Sequence, residues 1–247
     1  MLTALNLRYG SEEATNFSEE VHRVLAVESY KSSINLARER GCFQIWDYEK
    51  EKENPFINRI IGEFYPQDLH NYLTFGRRNI ANLTIAPTGS VSILTQTTSG
   101  IEPCFQVYYK RRRKVNDKSK ATFVDELGDM WEEYKVFHHK FVEWFKVKVW
   151  DDLIHKSDRF ALLGKTALEC LNNLTKEQLD EFIKESPYYK ATSSDVDYLG
   201  KVEMQGKIQK WVDHSISVTV NMPENVSEET VSQVYAKAYE CGCKDLS

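Results

Sequence analysis

The stretch from Thr84 to Phe105, TIAPTGSVSILTQTTSGIEPCF, decides how this chain is read. It opens apolar, turns at Pro87-Thr88-Gly89, and sets Ser90, Ser92, Thr95, Thr97, Thr98 and Ser99 among aliphatic residues before Gly100. Neither a helix nor a strand calls for so many small hydroxyls between two turn signals. A strand ending in Pro-Thr-Gly and leading through Ser-Val-Ser into an Ile-Leu run suits a strand-to-helix turn. The first N–H groups of a helix lack partners within it, and the macrodipole adds about half a positive charge there, so an anion is welcome. Gly89 lets a ligand come close to the backbone, while Thr88, Ser90 and Ser92 carry hydroxyl donors. Thr88, Gly89, Ser90 and Ser92 would together make a phosphate cradle without a lysine. It is not the Gly-x-x-x-x-Gly-Lys loop, which the chain lacks. An N-cap followed by a serine-rich turn accounts for the same residues, and the residues alone leave both readings open.

At 247 residues the chain is long enough for one large domain or two small ones. Its 41% hydrophobic and 28% charged content suits a soluble protein with a sizeable core. The net charge of −5 gives no global pull toward nucleic acid. No apolar run approaches the ~20 residues of a membrane helix, and the N-terminus carries no signal-peptide pattern. The five cysteines, Cys42, Cys104, Cys170, Cys241 and Cys243, are odd in number and mostly scattered. That pattern points to a reducing cytoplasmic setting and away from a disulfide framework.

Outward from the opening stretch, the spacing predicts an α/β protein. Ser11 is a candidate N-cap for a helix that carries Phe17, Val21, Val24 and Leu25 at helical spacing and stops at Gly41. Residues 42–76, broken by Pro55 and Pro66, read as loop with short helices. NLTIAP (82–87) reads as a short buried strand, and IEPCFQVYYKRR (101–112) as a second. A long helical pattern is expected from Phe123 to about Leu153. Thr175 and Gln178 form a capping box, residues 195–213 look helical, SISVTVNMP (215–223) is strand-like, and Ser227 caps a last helix closed by Gly242.

Several other motifs admit a plain structural reading. The basic run Lys110-Arg111-Arg112-Arg113-Lys114 could bind phosphate or nucleic acid, but in an acidic chain it reads first as a solvated strand end. Cys241-x-Cys243 has no second Cys or His pair at ligand spacing nearby, which favours a structural role and no metal site. His138-His139 falls in the expected aromatic helix without an acidic partner, so a surface role is the default. Trp131, Tyr134, Phe137, Phe141, Trp144 and Phe145 read as core or interface packing.

RRNIANLTIAPTGSVSILTQTTSGIEPCFQVYYKRR (77–112) resembles the C-terminal part of the catalytic chain of adenosylcobalamin-dependent, class II, ribonucleotide reductases. LRYGSEEATNFSEEVHRVLAVESYKSSINLARERGCF (7–43) and MQGKIQKWVDHSISVTVNMPENVSEETVSQVYAKAYECGCK (204–244) resemble the same family in order. The likeness covers residues 5–44, 78–113 and 204–244, and leaves 114–200 as an expected helical insertion. It implies that the chain is the C-terminal portion of a ten-stranded α/β barrel of two half-barrels around a finger loop. The implied reaction removes the 2′-hydroxyl of a ribonucleoside di- or triphosphate by thiyl radical chemistry, with adenosylcobalamin as cofactor. The segment matching Pro87–Ser92 would hold the substrate's phosphates. The implied partners are the N-terminal part of the reductase, a thioredoxin- or glutaredoxin-like reductant and a homodimeric second copy. No cysteine here sits in the family's Asn-x-Cys-x-Glu finger loop, so the radical cysteine is expected upstream of Met1 and no catalytic residue is assigned to this chain. The alternative is a stand-alone nucleotide- or phosphate-binding module.

Overall fold

The computed structural model describes residues 1–150 and 166–245. In chain order these form helices α1 (Glu12–Arg40), α2 (Tyr48–Glu51), α3 (Pro55–Ile61), α4 (Pro66–Phe75) and α5 (Gly89–Thr95). Strands β1 (Tyr108–Lys114), β2 (Phe123–Val124) and β3 (Met130–Phe137) come next. Helices α6 (His139–Phe145), α7 (Ala167–Asn173), α8 (Lys176–Glu185), α9 (Tyr198–Gln209) and α10 (Glu228–Glu240) complete the order. They group into two compact units, each built from three segments of chain. One comprises Met1–Tyr9, Ser90–Thr98 and Pro103–Val196; the other comprises Gly10–Gly89, Ser99–Glu102 and Asp197–Ser247.

The unit that starts at Gly10 is organised on α1. Ser11 accepts the Ala14 N–H, Glu12 and Glu13 face the positive end of the dipole, and the left-handed Gly41 closes the helix on the Ala37 carbonyl. Ala26, Tyr30 and Ile34 of α1 bury against Ile57, Ile60, Tyr72 and Trp211. Pro55 and Pro66 stand at the first helical position of α3 and α4, where a missing N–H costs nothing. Beside this core Glu51 and Arg77 form a buried ion pair. Glu51 also accepts from Tyr72 Oη (2.7 Å) and Trp46 Nε1 (3.0 Å), and Arg77 donates to the Asn79 carbonyl. Every polar group of the pair therefore has a partner, the condition under which a buried charge is tolerated.

In the same unit two extended segments run parallel. His214 N–H donates to the Leu83 carbonyl (3.1 Å), Ile85 N–H to the Ser215 carbonyl (3.4 Å) and Ser217 N–H to the Ile85 carbonyl (2.8 Å), around a bridge between Ile85 and Ile216. The strands expected at NLTIAP and SISVTVNMP are reduced here to an isolated parallel bridge with its flanking hydrogen bonds. Helix α9 packs on both α1 and α10. A Cβ on Gly206 would lie 2.5 Å from Cys241 Cβ and 2.8 Å from the Cys241 carbonyl, so this crossing requires glycine.

The other unit holds an antiparallel sheet of order β1-β3-β2. The helix expected from Phe123 is not formed: residues 123–124 and 130–137 are strands, and helix begins only at His139. The spacing of Trp131, Tyr134 and Phe137 imitates a helix face, but Asp125 accepts the N–H groups of Leu127 and Asp129 and the indole of Trp131. With Gly128 left-handed (φ 84°) this makes a tight turn that folds β3 back on β2. Residues 151–153, the end of the expected helix, lie outside the described residues. Residues 114–200, expected as a helical insertion, thus contain strands as well as helices. Thr175 and Gln178 form the expected capping box. The core joins Val107, Phe137, Phe141, Phe145, Leu171, Leu179 and Tyr188, so Phe137, Phe141 and Phe145 of the aromatic stripe are packing residues.

Among the described residues the chain is helix-rich with one small sheet and isolated parallel bridges, an α/β content without a closed barrel. No described helix is long and apolar enough to cross a membrane.

Two outcomes are expected. Gly206→Ala overpacks the α9–α10 crossing and lowers unfolding free energy by about 1–3 kcal/mol, measured by urea denaturation. His22 and His138 both bind protons more weakly when folded, chiefly because they are partly buried and desolvated; the charges of His139 and Lys140 add to this at His138. The unfolded chain then takes up protons first as pH falls through the ordinary histidine range of about 6.5, so stability is full above that range and declines below it. The melting temperature should rise from pH 5.5 to 7.5, and His138→Phe should flatten part of the slope.

Candidate functional site

The parallel strand Leu83–Ile85 delivers the chain to the turn Pro87–Gly89, after which α5 begins. Ligands of parallel α/β units gather beyond the carboxyl ends of the strands, where such turns lie. The Asp213 carboxylate accepts the N–H groups of Asn82 (2.6 Å) and Leu83 (2.9 Å) and the Tyr30 hydroxyl (2.9 Å), which fixes where the strand starts.

Pro87, Thr88 and Gly89 belong to the unit that starts at Gly10, while Ser90, Val91 and Ser92 belong to the unit that starts at Met1. In the first group, Thr88 N–H donates to Ser99 Oγ (2.8 Å) and Gly100 N–H donates to Thr88 Oγ1 (3.0 Å). The Thr88 hydroxyl is thus engaged in closing the loop 88–100. Gly89 opens α5, and beyond its chain neighbours and the helix's own backbone no atom comes within 4 Å of where its Cβ would stand. Its glycine is not demanded by the chain's own packing, and the space above it is open. In the second group, Ser90 and Val91 are exposed while Ser92 is buried. Helix α5 is only seven residues long and carries no acidic residue in its first turn to oppose an anion.

Sequence reading missed the groups that brace this turn. Glu102 Oε1 accepts the Thr219 N–H (2.6 Å) and Oε2 accepts Lys201 Nζ (2.7 Å); Lys201 also donates to the Thr219 carbonyl. Burial pushes the Lys201 ammonium below the usual lysine range, with Glu102 opposing the shift. The Ser-Gly-Ile-Glu-Pro run (99–103) marked the place, but nothing in it names Lys201, 99 residues away.

The other candidates take structural roles. The basic run is β1, and Lys110, Arg112, Arg113 and Lys114 pair with Glu133, Glu132 and Asp129. Burial pushes the thiols of Cys104, Cys170 and Cys243 up to about 11, away from the thiolate a nucleophile needs. Among the described residues no group of three or more His, Cys, Asp or Glu is arranged to hold a metal ion.

The family model described as ribonucleotide reductase, barrel domain, matches residues 1–247. The vitamin B12-dependent ribonucleoside-diphosphate reductase of Thermoplasma acidophilum is 27% identical over 100% of this chain and 26% of its own length. That of Mycobacterium tuberculosis is 23% identical over 100% of this chain and 29% of its own length. The chain therefore spans about a quarter of the length of these curated relatives. Among solved structures, the Actinobacillus ureae class Id ribonucleotide reductase alpha subunit aligns with a TM-score of 0.56 at 20% identity, covering 99% of this chain and 35% of that one, a likeness of fold. The strand–turn–helix at Leu83–Thr95 thus sits in a chain that belongs to the ribonucleotide reductase barrel-domain family.

Proposed function

We propose that this chain is one portion of an adenosylcobalamin-dependent ribonucleotide reductase, and that Pro87–Ser92 holds the phosphates of the ribonucleotide substrate. The observation that carries this reading is the open space at Gly89, where a parallel strand ends and a helix with no acidic first turn begins. Backbone N–H groups at the start of α5 and the exposed Ser90 hydroxyl are the donors for phosphate oxygens. Leu83–Ile85 and His214–Ser217 are read as two neighbouring strands of the ten-stranded barrel, completed by the rest of the enzyme.

The cofactor is read from the relatives, whose names state vitamin B12 dependence. Adenosylcobalamin supplies radical initiation in the complete enzyme. No cysteine of this chain sits in an Asn-x-Cys-x-Glu run, so the radical cysteine is assigned to the remainder of the protein. What these residues contribute is binding: they fix the nucleotide by its phosphate end.

Gly89→Val should fill the open space and weaken binding of a ribonucleoside diphosphate, and Ser90→Ala should cost about 1 kcal/mol of binding, up to ~3 where the hydrogen bond is charge-assisted. Calorimetric titration of the nucleotide into the chain checks both; lower helix stability with unchanged affinity would return the turn to a mere cap. Supplied alone with adenosylcobalamin and a dithiol, the chain should form no deoxyribonucleotide, and turnover in that assay would refute the assignment of the radical cysteine elsewhere.

A further inference from the structure

We infer that the Glu102–Lys201 ion pair is the positioning device of the phosphate-binding turn: it pins residues 99–102 to Thr219, so that Ser99 and Gly100 hold Thr88 and Gly89 in the shape that receives phosphate. This rests on the reading of Pro87–Ser92 as the phosphate site. All the groups of the pair's network lie in one compact unit.

The chain of contacts is continuous. Lys201 projects from α9 and is 2% exposed, an extreme burial for an ammonium, and its partners are the Glu102 carboxylate and the Thr219 carbonyl. Glu102 takes the Thr219 N–H on its other oxygen. Together the two side chains satisfy both main-chain groups of Thr219, as a neighbouring strand would. The segment carrying Glu102 is itself a tight turn, closed by Glu102 N–H to the Ser99 carbonyl at 2.9 Å. Ser99 Oγ then takes the Thr88 N–H, and Gly100 N–H reaches Thr88 Oγ1. Gly100 is left-handed (φ 50°), and a Cβ there would stand 3.2 Å from Ile85 Cγ2 and 3.6 Å from the Ala86 carbonyl. The segment therefore lies flush against the strand that feeds the turn.

Stability alone does not account for the pair, because replacing a buried ion pair by apolar groups of similar volume is often neutral or stabilising. Directional bonds to a main-chain N–H and C=O do what an apolar contact cannot: they fix one register between residues 99–102 and the strand end. The depressed proton affinity of Lys201 agrees with an ammonium held by geometry in a desolvated place.

The test uses the full 247-residue chain. Lys201→Met and Glu102→Ala are each expected to raise the Kd for a ribonucleoside diphosphate about tenfold, and the double variant should be no worse than the weaker single one. Glu102→Gln keeps an acceptor and should recover part of the affinity; it is mild enough to be measured even if Lys201→Met fails to fold. Val234→Ala, in the α9–α10 packing, serves as a stability control that lowers the unfolding midpoint without moving Kd. Hydrogen exchange at the Thr88, Gly100 and Thr219 amides is the second readout and should accelerate in the pair variants but not in Val234→Ala. Unchanged affinity with a lowered midpoint, or unchanged exchange at Thr88 and Gly100, overturns the inference. Accelerated exchange in a chain whose parent binds no nucleotide supports the clamp and overturns the phosphate reading instead.

Discussion

The parallel pairing of Leu83–Ile85 with His214–Ser217 is the constraint on which the unit that starts at Gly10 depends. Three main-chain hydrogen bonds make a short ladder, too short to set its own register firmly. Helix α9 supplies the missing specification through two buried polar side chains on one face, Lys201 and Gln209. Gln209 Nε2 donates to the carbonyls of Val212 and His214 (both 2.9 Å), and Lys201 holds Thr219. The helix thus grips both ends of the second strand by its backbone. Each such bond adds only about 1 kcal/mol net, but losing one partner leaves a buried group whose desolvation costs about 1–3 kcal/mol. The two side chains therefore penalise wrong registers more than they reward the right one.

What could be read from the sequence follows from how far each interaction reaches. Ser11, the Thr175–Gln178 box and Ser227 cap their helices as their spacing indicates, because a cap is settled within four residues. The prolines of residues 42–76 also act locally and stand where they were expected. At Phe123–Phe137 two local signals compete. The helical spacing of the aromatics loses to the Asp125–Gly128 turn and to the pairing of β1 with β3, where Arg113 meets Glu132 and Arg112 meets Glu133. The turn chemistry was present in the sequence, and the partner strand decided its weight.

The candidate site divides along the same line. Pro87, Thr88 and Gly89 announce a turn because proline and glycine restrict the backbone at their own positions. Whether a hydroxyl faces a ligand or its own loop is a distant matter. Thr88 is turned toward Gly100 and Ser99, twelve and eleven residues on, and only the folded chain shows it. Glu51 and Arg77 were unremarked charges in a charged sequence, yet they are the buried pair that steadies the approach to Asn79.

The two units are interleaved along the chain, and that arrangement bears on how the molecule reaches its structure. Leu83 and Asp213 are 130 residues apart, so the first strand has no partner until nearly the whole chain exists. Closing a loop of that size adds little to the equilibrium cost, which grows only with the logarithm of length, but it slows the search. Helix α1 and the α6–α8 core can collapse early on local contacts. Leu83–Ile85 have no such local route, and in the loop that follows them Ile93 and Leu94 remain 77% and 83% exposed. Leu83–Ile85, which lead into the candidate site, thus wait for their partner during synthesis, when bare apolar surface is most prone to aggregate.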